Sequence, residues 1–262
     1  MKKKISLEET RYSIKTLGFC KLEGVLKNEL ILSLKAELDL AIEQDRQEIE
    51  NYDSYHFNDI VHQLIGRGES FLDVLANPTL NLIVNEILSP TAIIHSYNGV
   101  KLMPYQGNNA SKLHRDCPRF YNQDYPLMLQ ALVCLDEFKT ENGGTMLLPG
   151  SHHLEEAPSS DYFETKAVRI TAEPGDIVMF DSLMWHCGGK NLTKLPRRGI
   201  TIVYSRSFMK QQIDLCRAIP SSLINSMDKV VRQRIGMDVR VPASFSEFSL
   251  PQEKRLYKAN QG

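Results

Sequence analysis

Apolar residues recur at Leu30, Leu34, Leu38 and Ile42. This spacing stacks them into one stripe of a helix and leaves Glu29, Lys35, Glu37 and Glu43 elsewhere on its surface. A second helical pattern runs through Leu80, Ile83, Val84, Ile87 and Leu88. Asn77-Pro78 opens it, with proline in the first turn where its missing N–H does no harm, and Ser89-Pro90 ends it. Residues 17–22 read as a short strand. The stretch from 1 to about 90 is therefore expected to be mostly helical. From about 91 to 208 the period changes. Short β-branched and apolar runs at 92–94, 127–135, 144–148, 167–170, 176–180 and 199–204 alternate with turn signals at 141–144, 149–151, 173–176 and 188–189. Many short strands without helices between them point to a sandwich or barrel rather than to parallel βαβ units. Residues 209–262 return to helix and coil, broken by Pro220, Pro242 and Pro251. No linker composition interrupts the chain, so 1–262 is read as one mainly β domain with flanking helices packed outside its core.

Composition narrows the function classes. The chain has 262 residues and a formal net charge of −1, which argues against a strongly basic nucleic-acid binder. No apolar run reaches the roughly 18–20 residues of a transmembrane helix, and the start at 1–9 has basic residues but no apolar stretch behind them, so no secretory signal is expected. The five cysteines, Cys20, Cys117, Cys134, Cys187 and Cys216, are odd in number and widely spaced. They read as free thiols of a cytoplasmic protein.

Among the seven histidines, His114-Arg115-Asp116 stands out. In an extended segment residues i and i+2 share a side, so this imidazole and carboxylate face one point in space. A third ligand must come from elsewhere, and His186, after the run 176–180 and the lone Trp185, is the best candidate. Two imidazoles and one carboxylate on one face of an octahedron leave three positions open, the arrangement of non-haem Fe(II) oxygenases. Farther on, Arg197-Arg198 precedes the run 199–204. A guanidinium fork there is suited to a dicarboxylate, and only one of the two neighbours can point inward. His152 and His153 fall in a turn, and His56, His62 and His95 lack a partner pattern, so all five are read as structural.

At this point the sequence resembles the phytanoyl-CoA dioxygenase family, the Fe(II)- and 2-oxoglutarate-dependent oxygenases. The resemblance rests on His114-x-Asp116, then 130–136 (QALVCLD), 141–152 (ENGGTMLLPGSH) and 173–176 (EPGD), then His186 and Arg197, in that order, over roughly residues 10–210. It implies a double-stranded β-helix (jelly-roll, cupin-like) core. It implies His114, Asp116 and His186 as iron ligands, and Arg197 as the partner of the distal 2-oxoglutarate carboxylate with Arg198 facing away. Gln130, Leu132, Thr145 and Tyr97 would be further co-substrate contacts, although Leu132 stands where the family often has Trp. The implied reaction uses Fe(II), 2-oxoglutarate and O2 to hydroxylate an unactivated C–H of a small molecule, releasing succinate and CO2. Related halogenases replace the carboxylate ligand with a small residue, so Asp116 favours hydroxylation. The loop 117–122 is expected to border the pocket, with Arg119 and Phe120 as candidate substrate contacts, Arg115 as a second cation, and Phe208 and Lys210 closing it from the C-terminal side. Two other readings compete: a non-catalytic jelly-roll binding module, and a metal-dependent oxygenase that does not use 2-oxoglutarate.

Overall fold

The computed structural model describes residues 6–52, 60–107, 111–122 and 124–261; the N-terminal five residues and His56 lie outside them. The N-terminal part contains α1 (Leu7–Leu17), β1 (Phe19–Leu22), α2 (Asn28–Glu48), β2 (Ile60–His62), α3 (Ser70–Ala76) and α4 (Pro78–Ile87). The core follows with β3 (Ile93–Leu102), β4 (Met128–Cys134), β5 (Met146–Leu147), α5 (Ser160–Lys166), β6 (Val168–Arg169), β7 (Ile177–Asp181), β8 (His186–Cys187) and β9 (Arg197–Ser205). Short helices α6 (Leu215–Ala218), α7 (Ser221–Ser226), α8 (Lys229–Arg234) and α9 (Phe245–Phe248) make up the C-terminal part.

The strands form a six-stranded sheet in the order β1-β7-β4-β9-β3-β2 and a three-stranded sheet β6-β5-β8, with every pairing antiparallel. This is the jelly-roll core with helices outside it. The large sheet is apolar on both faces because it is covered on both. Leu129, Ala131 and Val133 of β4, Ile177 and Met179 of β7, and Ile200, Ile202 and Tyr204 of β9 join the helices in one core cluster. The alternate residues Leu132, Cys134, Val178 and Phe180 pack instead against Leu147 of the small sheet and Phe138. The buried side of α2 carries Ile31, Leu34, Leu38, Ala41 and Ile42. Leu30, expected in that stripe, is only half-buried. Gly99 of β3 lets α2 lie close, since a Cβ there would collide with Leu38 Cδ1.

Two polar constructions join the helices to the core. Arg198 faces away from the sheet interior, donating through Nε and Nη2 to the two oxygens of Asp39 at 3.0 and 2.8 Å and through Nη1 to Asp136 at 3.2 Å. Lys101 and Lys35 complete this network on Asp39 and Asp136. Arg234, 2% exposed, donates to the side-chain oxygens of Asn81 and Asn85 and to the carbonyls of Ala92 and Pro90. Its partners are neutral, so these hydrogen bonds carry the desolvation of the guanidinium. Arg234→Ala would leave four acceptors short of a donor, two of them in fully buried hydrogen bonds, and open a void. We expect it to lower stability by about 3 kcal/mol and the melting temperature by roughly 6–12 °C; a change below about 1 kcal/mol in a denaturant melt would contradict this role.

Candidate metal and active site

The residues around His114 add a strand-like edge to β8. His114 and His186 exchange both backbone hydrogen bonds, each at 3.0 Å. The turn that carries the chain from β7 to β8 is tied from three sides. Asp181 accepts from Leu183 N–H at 2.8 Å, Ser151 Oγ accepts from Trp185 N–H at 2.9 Å, and Ser182 O accepts from Cys117 N–H at 3.0 Å. His186 and the His114–Asp116 segment are thereby fixed side by side.

The three side chains converge. His114 Nε2 lies 3.7 Å from Asp116 Oδ1 and His186 Nε2 lies 3.8 Å from Oδ2. One ligand atom from each residue falls within 4.8 Å of the others. His114 Nδ1 sits 2.7 Å from Lys112 O and His186 Nδ1 sits 2.9 Å from Met184 O. A carbonyl only accepts, so both Nδ1 atoms carry the proton and both Nε2 atoms turn a lone pair toward the carboxylate, as metal ligation requires. Burial holds His186 below the usual imidazole range, which keeps that lone pair available. Asp116 Oδ2 is buried without a hydrogen-bond partner. A buried, unpartnered carboxylate oxygen beside two correctly tautomerised imidazoles fits a divalent first-row metal.

These ligands open on a cavity of about 190 Å³ between the two sheets, also lined by Gln130, Leu132, Thr145 and Arg197. Arg197 is 6% exposed. Its Nε donates to Asn142 O at 3.2 Å and its guanidinium lies 4.0 Å over the Phe138 ring. The Asn142 carbonyl is held in turn, because the Asn142 side chain accepts from Lys139 N–H and donates to Glu137 O. Gly143 permits the turn with φ +82°, and a Cβ there would lie 2.6 Å from Gly189 O.

The other expected site residues lie elsewhere. Tyr97 is a correction. It is fully buried on the helix-covered face, where its hydroxyl donates to Phe71 O at 2.8 Å. Strand alternation instead turns its neighbours Asn98 and Val100 into the cavity. Arg119 and Phe120 are exposed and do not line the cavity. Cys117 is still buried, and the chain is exposed from Pro118 to Phe120, which carries them outward. Arg115 points away from the ligands, 4.8 Å over the Trp185 ring. Phe208 and Lys210 line a separate groove against the C-terminal helices. His152 and His153 stack on each other and turn Nε2 to Lys15 O, and His95 Nδ1 meets Lys210 O. His62, read as structural, lines the cavity together with Asn98 and Thr201. The i+2 rule applied from Arg197 would have found Thr201. Asn98 was hidden because β3 extends well past 92–94.

A larger cavity of about 430 Å³, lined by Arg11, Lys15, Asn122 and Asp181 among others, contains none of the three ligands. Burial pushes the Asp181 carboxyl up to about 6, against the Leu183 N–H and Tyr121 hydroxyl that favour its charged form. An unfolded Asp titrates near about 4. The folded chain therefore binds an extra proton between those values, and stability falls as pH rises from about 4 through 6. Asp181→Asn should flatten that slope in melts across this range and raise the melting temperature at neutral pH; an unchanged slope would contradict the assignment.

A jelly roll with two imidazoles and a carboxylate grouped at one cavity defines the class of mononuclear non-haem metal oxygenases. Residues 14–199 match the model of the phytanoyl-CoA dioxygenase (PhyH) family, and the chain belongs to that family. An uncharacterized protein of Mycobacterium tuberculosis, Rv1501, is 27% identical over 98% of this chain and 96% of its own length. The dioxygenase trt7 of Aspergillus terreus is 31% identical over 75% of this chain and 72% of its own. Among solved structures, AviO1 from Streptomyces viridochromogenes Tue57 is similar with a TM-score of 0.62 and 22% identity, covering 78% of this chain and 96% of that one. SnoN, described as a non-heme alpha ketoglutarate dependent epimerase from nogalamycin biosynthesis, has a TM-score of 0.59 and 18% identity, covering 76% of this chain and 81% of that one. At these identities the solved structures establish the fold. The protein is an oxygenase of this family, whose members act on small molecules with iron and 2-oxoglutarate in general use. Among the described residues no helix is long and apolar enough to cross a membrane.

Proposed function

We propose that this chain is an Fe(II)- and 2-oxoglutarate-dependent dioxygenase that hydroxylates an unactivated C–H of a small molecule while 2-oxoglutarate is converted to succinate and CO2. The observation that carries the reading is the convergence of His114, Asp116 and His186 with both Nε2 lone pairs turned to one carboxylate. These three residues would hold the metal. Ferrous iron, when bound, supplies the activation of O2 that the side chains alone cannot provide.

The protein's own part is to bind, orient and exclude water. Arg197 pairs with the far carboxylate of 2-oxoglutarate, its fork pre-set by the Asn142 carbonyl and the Phe138 ring. Thr145 brings a hydroxyl to the same cavity and Leu132 an apolar wall. The Lys112 and Met184 carbonyls keep the protons on Nδ1. Phe180, its ring centre 5.0 Å from that of His186, helps keep that side dry. Asp116 keeps a carboxylate where a halogenase would need a small residue, which supports hydroxylation.

Anaerobic titration tests the reading. With Fe(II) present, added 2-oxoglutarate should produce a metal-to-ligand charge-transfer band that saturates at one equivalent. Iron bound without the band would favour an oxygenase that does not use 2-oxoglutarate. Failure to bind iron would favour a non-catalytic module. Succinate release coupled to substrate consumption, with product analysis, then separates hydroxylation from epimerisation.

A further inference from the structure

Alternation along β7 puts Asp181 on the face opposite Phe180. Phe180 lines the metal cavity, whereas Asp181 follows Ile177 and Met179 onto the helix-covered face. There it lines the larger cavity of about 430 Å³, whose other walls include Ile14 and Lys15 of α1 and Ile87 at the end of α4. Asp181 is 3% exposed. Its Oδ1 accepts from Leu183 N–H at 2.8 Å and from the Tyr121 hydroxyl at 3.1 Å. Its Oδ2 has no hydrogen-bond partner among the described residues. The turn into β8 uses only Oδ1, and an asparagine would serve it without a buried charge. The fold therefore does not require a carboxylate here, and one oxygen of that carboxylate is left unmatched at the wall of a cavity.

The other charges at this cavity offset one another. Arg11 pairs with Glu86 and Lys15 with Asp124, each at 3.4 Å and each exposed. Burial pushes the His152 imidazole down to about 4, so it is neutral. His153 Nε2 meets Lys15 O. With its carboxyl at about 6, Asp181 is ionised at neutral pH and is the unbalanced charge of this wall. It calls for a cation. A metal ion does not fit, because among the described residues the one group of three metal-ligating side chains is that of His114, Asp116 and His186. A guanidinium pairs best with both oxygens of a carboxylate, and Oδ1 is already engaged. A primary ammonium is a compact point charge that needs only Oδ2. Ile14, Ile87 and Pro126 supply an apolar wall for the carbon body behind it.

We propose that this cavity is a second binding site, for a small molecule that carries a primary ammonium on an apolar body, with Asp181 Oδ2 as the anionic contact. The site shares no lining residue with the metal cavity. It therefore stands independently of the reading of that cavity as an oxygenase site.

NMR titration of the 262-residue chain at neutral pH tests it. Cyclohexylammonium should bind at one saturable site, about tenfold more tightly than cyclohexanol, which keeps the ring without the charge. N-cyclohexylguanidinium should bind more weakly than the ammonium. Asp181→Asn keeps an oxygen for the Leu183 N–H and the Tyr121 hydroxyl, and it should bring the ammonium-to-alcohol ratio to about one. Asp181 lines this cavity and not the one at the metal ligands, so the variant also locates the bound ion. Should that variant fail to fold, the native chain carries the test. Saturating cyclohexylammonium should move the Asp181 carboxyl titration, followed by its ¹³Cγ shift, downward from about 6 by about one pH unit. Equal binding of ammonium and alcohol, no binding of either, a guanidinium bound more tightly than the ammonium, a preference that survives Asp181→Asn, or an unmoved Asp181 titration would overturn the proposal.

Discussion

Asp116→Gly should abolish turnover, with a loss of at least about 10³-fold in substrate-dependent succinate release. Partners that merely orient metal ligands are typically worth about 10–100-fold, and a ligand itself must exceed them. Asp116 is the one acid among the three converging residues. Without it the site offers two neutral imidazoles and no charge to offset a divalent cation. The substitution should leave the fold intact, because Asp116 Oδ2 has no hydrogen-bond partner to lose. The metal-free variant should therefore melt no lower than the native chain. Turnover retained by the glycine variant would contradict the ligand assignment, and loss of fold would contradict the view that this carboxylate is held for a ligand rather than for the protein.

Arg197→Ala is expected to raise the KM for 2-oxoglutarate by about 10²-fold or more. Removing one partner of a buried charge pair costs about 2–5 kcal/mol, and about 2.7 kcal/mol is 10²-fold. At saturating 2-oxoglutarate kcat should fall much less, since the guanidinium is not among the groups that converge to hold the metal. Arg197→Lys should fall between the two, keeping the charge but losing the planar fork and its stacking on Phe138. A KM unchanged in Arg197→Ala would contradict the assignment. Arg198→Ala is the control. Its guanidinium belongs to the Asp39–Asp136 network on the outer face, so its effect should appear in stability and not in that KM.

The site was legible where chemistry and strand period coincide. The i,i+2 spacing of His114 and Asp116 survives folding because that segment pairs with His186 as a strand. The alternation that sends Arg197 inward and Arg198 outward is the elementary rule of a pleated sheet. Tyr97 failed for a related reason. Strand β3 runs to Leu102, and a bulge between Ile94 and Ser96 shifts its register. The residues that make β3 hard to see in the sequence, Asn98 and Gly99, are polar or side-chain-free because one faces the cavity and the other must admit Leu38. His62 was missed because β2 is three residues long, too short to show a period. Arg119 and Phe120 are near Asp116 in sequence but exposed and outside the cavity, because nearness in sequence does not fix direction in an irregular loop.

His114, Asp116 and His186 are expected to hold one ferrous ion, and anaerobic equilibrium titration of the metal-free protein with Fe(II) measures this. The native chain should take up one ion with saturable binding, and His186→Ala should lose most of that affinity. Absence of a saturable ion, or equally tight uptake by the His186→Ala chain, would contradict it.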